Sequence, residues 1–135
     1  MGVSRCCIVS LPTKLDARGA LTIIEGGRDV PFDIARVYYL HDVPSGECRG
    51  AHAHRQLWQL MVAMSGEVTV TLDDGLDRRT FLLRSPREGL LVCPMIWRSL
   101  QGFSPGAVCM VLASDHYDES DYFRSYDQFV EASRK

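Results

Sequence analysis

Apolar positions along the chain fall into short runs separated by turn residues: CCIVSL, ALTIIE, IARVYYL, LWQLMVAM, EVTVTL, RTFLLR, GLLVC and AVCMVLA. Runs of this length, rich in β-branched and aromatic residues and closely spaced, predict strands of an all-β sandwich or barrel. The alternation is strictest in EVTVTL, where Val68, Val70 and Leu72 share one face and Glu67, Thr69 and Thr71 the other. With SG before it and DDG after it as turns, residues 57–83 are expected to form a meander of three antiparallel strands. LWQLMVAM is apolar on both faces, which predicts a strand covered by the barrel interior on one side and by another layer or subunit on the other. In the tail, Asp118 and Ser120 are helix-start residues. The spacing of Tyr122, Tyr126, Phe129 and Val130 then predicts one or two short helical turns packed outside.

Composition narrows the class of partner. A chain of 135 residues, 46% hydrophobic and 24% charged, is expected to form a single domain over residues 1–135. Its formal charge of -2, with no run of Lys and Arg, argues against nucleic acid. Cysteines at 6, 7, 48, 93 and 109 are odd in number and lack a CxxC pair. Together with an N-terminus that lacks a signal pattern, they predict a reducing, cytoplasmic setting. No apolar stretch approaches the roughly 20 residues of a membrane helix, so a membrane is not an expected partner.

His52 and His54, two apart on a predicted strand, point to the same side. Eight or more short strands with such a pair at a corner suit a cupin-type double-sheet jelly roll with a short C-terminal helical tail. Gln59 joins the same pocket only if the chain turns a corner near Arg55 and Gln56. Metal-binding cupins resemble the pattern H-x-H, three or four residues, E, six residues, G, and later P-x-G-x-x-H. Here Gln59 stands at the glutamate position, and Ile96 and Ser99 stand at the later glycine and histidine positions. Two imidazoles and an amide make a poor set for a divalent transition metal, so no metal and no cofactor are expected. Imidazole titrates near neutrality and can both take and give a proton, which directs attention to acid/base chemistry at a carbonyl compound.

The stretches DARGALTIIE, PFDIARVYYLHD, RGAHAHRQLWQ, LDDG and VLASDHYDESDYFRSYDQF span nearly the whole chain. They resemble the sugar 3,4-ketoisomerases, metal-independent cupins that act on thymidine-diphosphate-linked 4-keto-6-deoxyglucose. In that family glutamine is usual at the position of Gln59; where the family typically has W-H-E, this chain has Trp97, Arg98 and Ser99. The resemblance implies a TDP-linked 4-keto-6-deoxy sugar as ligand. It also implies transfer of the carbonyl from C4 to C3 through an enediolate.

On that reading His52 and His54 supply the base, with His54 favoured, and Tyr39, on the parity of Val37, is the inward phenol for the oxyanion. Arg49 and Arg18 are candidates for the diphosphate, Arg98 for a phosphate or an outward position, and Trp97 and Tyr122 for stacking on the base or sugar, beside Gln59 in the pocket. A homodimer is expected from the apolar faces of LWQLMVAM and the β-rich N-terminus. The alternatives are a 3,5-epimerase acting on the same substrate, a metal-dependent cupin and a non-catalytic sugar-nucleotide-binding module.

Overall fold

The computed structural model describes residues 2–135. Its strands are β1 (Cys7–Ser10), β2 (Thr13–Asp16), β3 (Gly19–Thr22), β4 (Arg36–His41), β5 (Arg49–His54) and β6 (Gln59–Ser65). They continue with β7 (Val68–Asp73), β8 (Arg78–Leu83), β9 (Glu88–Val92), β10 (Trp97–Gln101), β11 (Val108–Ala113) and β12 (Tyr122–Phe123), and one helix, α1 (Tyr126–Ser133), closes the chain. Two antiparallel five-stranded sheets face each other, ordered β1-β9-β6-β11-β4 and β12-β5-β10-β7-β8, while β2 and β3 form a separate hairpin arm. This is the expected all-β, cupin-type jelly roll with a helical tail.

Alternation builds the core. Val68, Val70 and Leu72 of β7 are buried as their pattern requires, and they pack with Leu83 and Leu100 against Met61, Ala63, Leu90, Val92 and Val111 of the other sheet. The expected three-stranded meander is corrected. β7 pairs with β8, but β6 lies in the opposite sheet between β9 and β11. The turn at Ser65-Gly66 passes the chain from one sheet to the other, a connection that a hairpin turn signal does not distinguish from a local one.

β6 is covered on both faces, and the outer cover comes from the same chain. Leu60 and Val62 pack under Leu11, Val30 and Phe32, so a second subunit is not needed to explain this strand. At the tail, Ser125 rather than Ser120 caps α1 by accepting from the Gln128 N–H, and Asp118 caps the short turn before it. Phe129 of α1 is fully buried with Ala53 and Phe123 against the outside of the second sheet. Tyr122, placed by spacing on the helix, lies instead in β12.

Gly89 of β9 leaves room for Leu60, since a Cβ built there would meet Leu60 Cγ and Cδ1 at 2.8 Å. Overpacking at a buried position of this kind costs about 1–3 kcal/mol. Gly89→Ala is therefore expected to lower the urea midpoint with an unchanged slope. A midpoint equal to wild type would show that Leu60 repacks freely.

Candidate active site

A cavity of about 330 Å³ opens between the sheets. Two registers determine what faces it. On the second sheet His52 stands opposite Arg98, and His54 opposite Tyr122; paired residues share a face. The register slips between Arg98 and Leu100 opposite Gly50, which adopts φ 69°, a bulge that re-aims β5. On the first sheet Tyr38, Val111 and Met61 form a row across β4, β11 and β6. Arg36, Arg49, Gln59 and Arg124 complete the polar lining, which contains no carboxylate.

Arg98 is sealed inside, 1% exposed. Its Nε and Nη2 donate to the Ile96 carbonyl at 3.2 and 3.0 Å, and its Nη1 donates to Gln59 Oε1. No carboxylate among the described residues pairs with it. The Gln59 Nε2 donates to the Tyr38 hydroxyl at 3.0 Å, leaving the phenol proton free for another acceptor. Burial raises the Tyr38 pKa, so the phenol is held as a donor. The corner expected near Arg55 is present and delivers Gln59 to the cavity.

The two histidines differ in access. His52 lines the cavity, whereas His54, 1% exposed, stands behind it in the wall. Their rings meet edge to face at 4.8 Å, and Tyr122 lies 5.0 Å from His52 and 4.3 Å from His54. The Nδ1 of His54 is 3.0 Å from Asp121 Oδ2. Burial, and after it the Arg98 charge, hold His52 down at about 3 and His54 at about 2. Both rings are therefore neutral bases at physiological pH.

Three expected site residues lie elsewhere. Tyr39 is 62% exposed on the outer face of β4, because Tyr38 and Leu40, not Val37 and Tyr39, take the inward parity. Arg18 sits on the β2–β3 turn, ion-paired with Asp16 at 2.8 Å and remote from the cavity lining. Trp97 faces outward, one residue from inward Arg98, and packs on Tyr126 and Phe129 of the tail. Of the rest, Arg49, Gln59, Arg98, Tyr122 and His52 line the cavity. Sequence reasoning chose Tyr39 over Tyr38 and missed Arg36, Arg124 and Asp121. RVYYLH is apolar on both parities, so alternation alone selects neither tyrosine.

A histidine kept neutral by burial makes folding sensitive to acid. Below its unfolded pKa of about 6.5 the unfolded chain binds a proton that the native ring refuses, so stability is full above pH 7 and declines as pH falls toward 3. Each ring contributes at most about 1.4 kcal/mol per pH unit in that window. Thermal midpoints should fall between pH 7 and 5, and His54→Asn should flatten the slope. An equal slope in wild type and variant would mean that His54 is protonated in the fold.

Comparison with known proteins adds to this geometry. The family model described as FdtA, WxcM-like, C-terminal, matches residues 4–134. The TDP-4-oxo-6-deoxy-alpha-D-glucose-3,4-oxoisomerase of Aneurinibacillus thermoaerophilus is 45% identical over 122 residues, 90% of this chain and 88% of that protein. The QdtA 3,4-ketoisomerase of Thermoanaerobacterium thermosaccharolyticum, crystallised with TDP, superimposes with a TM-score of 0.95 at 36% identity, covering 98% of this chain and 96% of that one. The WlaRB TDP-quinovose 3,4-ketoisomerase of Campylobacter jejuni gives 0.91 at 41% identity, over 96% and 99% of the two chains.

Proposed function

Because the chain belongs to the FdtA, WxcM-like C-terminal, family, we propose that it is a TDP-sugar 3,4-ketoisomerase that moves the carbonyl of TDP-4-keto-6-deoxyglucose from C4 to C3. The observation that carries the reading is one neutral imidazole, one free phenol proton and one buried cation in a single acid-free cavity.

His52 is the base, in preference to His54, since its ring is the one that lines the cavity. It takes the C3 proton that the adjacent carbonyl acidifies, and the electrons move onto O4 to form an enediolate. Tyr38 donates to that oxygen, taking the role first expected of Tyr39, and the Arg98 charge stabilises it in a poorly solvated site. O4 takes up the proton that O3 gives up as C3 becomes the ketone, and protonated His52 delivers a proton to C4, which returns the base to its neutral form. Positioned proton transfer of this kind contributes roughly 10² to 10⁴ in rate per group.

Arg49, Arg124 and Arg36 are the guanidinium groups available to the diphosphate. Tyr122 flanks the ligand; Arg124 is braced over its ring at 4.0 Å and ion-paired with Glu119 at 2.8 Å. The donor set supports a metal-free reaction, since the amide at the lost ligand position is already bonded to a guanidinium and no cluster of three metal-ligating side chains exists among the described residues. A cytoplasmic setting belongs to the same reading, supported by five free cysteines. No helix of the described residues is long and apolar enough to cross a membrane.

Incubated with TDP-4-keto-6-deoxyglucose in deuterated water, the protein is expected to give the 3-keto isomer with deuterium at C4, before and after exhaustive chelation. His52→Asn and Tyr38→Phe should each cut turnover by roughly 10² or more, while Tyr39→Phe leaves it near wild type. Binding without movement of the carbonyl would favour the non-catalytic reading, and label at C3 and C5 with the carbonyl unmoved would indicate an epimerase.

A homodimer completes the proposal. Leu15 and Leu21 on the β2–β3 arm are 61% and 60% exposed, and Val37 on the outer face of edge strand β4 is 53% exposed. Such surfaces are removed from water by pairing across a two-fold axis, and Arg18 at the arm tip reaches a cavity only from a second copy. Sedimentation at micromolar concentration should show twice the 15.2 kDa chain mass. A monomer alone would remove Arg18 from the site.

A further inference from the structure

The Asp121 carboxylate holds two donors at once. Its Oδ1 accepts from the Gln56 N–H at 2.8 Å, and its Oδ2 lies 3.0 Å from His54 Nδ1. The segment around it is tied to the end of β5: the Arg55 N–H donates to the Asp121 carbonyl at 2.9 Å, and Arg55 Nη1 to the Ser120 and Tyr122 carbonyls at 3.0 and 2.8 Å. A carboxylate accepts and does not donate. The proton of neutral His54 is therefore on Nδ1, and its lone pair is on Nε2.

That Nε2 is buried and without a hydrogen-bond partner among the described residues, and so is the Nε2 of His52. A buried ring nitrogen without a partner is unfavourable, and here two belong to rings in edge-to-face contact at 4.8 Å, 89° apart. We propose that Asp121 is a positioning residue for isomerisation: by fixing His54 as the Nδ1–H tautomer it turns an electron-rich nitrogen, not an N–H, into the wall behind His52. This rests on His52 being the base of the proposed reaction.

The consequence is electrostatic. When His52 takes the C3 proton it becomes an imidazolium whose charge Arg98, Arg124 and Arg36 oppose and only Glu119 favours. A lone pair on the adjoining ring, backed by a carboxylate only 16% exposed, offsets that repulsion at the moment the charge appears. With the opposite tautomer the ring behind His52 would present a partial positive charge and add to it.

Asp121→Asn tests the role with little change of shape. The carboxamide oxygen is needed by the Gln56 N–H, so the NH₂ group faces His54 Nδ1 and can only donate, forcing the proton onto Nε2. The variant is expected to lose on the order of 10² in kcat with KM within about threefold of wild type, and the ¹⁵N shifts of His54 should change from the Nδ1–H to the Nε2–H pattern. In a His54→Asn background the same substitution should cost no further kcat. Wild-type kcat in Asp121→Asn, or an unchanged tautomer in it, overturns the proposal, as does an additive loss in the double variant. The wild-type tautomer needs neither variant nor substrate, and His54 found as Nε2–H overturns the proposal even if Asp121→Asn fails to fold. Absence of isomerisation by wild type, with the Nδ1–H tautomer present, would instead count against the function itself.

Discussion

A guanidinium sealed between two sheets, with no carboxylate paired to it among the described residues, is the constraint to which the rest of the site answers. Leaving a charge of this kind unpaired costs several kcal/mol, so its donors must be met by neutral acceptors. Arg98 finds them in the Ile96 carbonyl and Gln59 Oε1, and the second choice orients the amide so that its nitrogen meets Tyr38. One buried cation thereby decides which way Gln59 points, leaves the phenol proton for a ligand, and adds to the burial that holds both histidines in their neutral forms.

The loop between β9 and β10 carries this arrangement. Ile96 supplies the acceptor for Arg98, while Met95, at φ 63°, donates its N–H to the His54 carbonyl at 2.8 Å. A non-glycine residue in the left-handed region is unfavourable by roughly 1–2 kcal/mol and persists where surrounding contacts over-determine it. Here those contacts are the buried arginine on one side and the histidine strand on the other. Cys93, at the start of the same loop, is buried against Cys6, the two sulfurs 3.6 Å apart.

On the opposite side the histidine strand is held by the tail. Ala53, between the two histidines, faces outward under Phe123 and Phe129, and the Arg55 guanidinium lies 3.8 Å from the centre of the Phe123 ring. The alternation of β5 thus divides one short stretch into a chemical face and an anchoring face. The hydrophobic contacts of α1 and the hydrogen bonds of Asp121 converge on the same few residues, so packing outside the barrel sets the precision of the rings inside it.

By itself the sequence determined the class of fold, the shared face of His52 and His54, the loss of the cupin ligand pattern and the likeness to sugar 3,4-ketoisomerases. Each of these rests on local spacing or on a motif read along the chain. It did not settle the parity of RVYYLH and WRSLQ, because both faces of each carry a large apolar residue, and so Tyr39 was expected where Tyr38 stands and Trp97 was expected in the pocket beside Arg98. It also placed β6 and β7 in one meander, since a Ser-Gly turn looks the same whether the chain returns to its neighbour or crosses to the facing sheet. Only tertiary structure decided these points. Which side of a two-faced strand is inside depends on the cross-strand partners that its register provides, and Asp121 meets His54 across 67 residues of chain for the same reason.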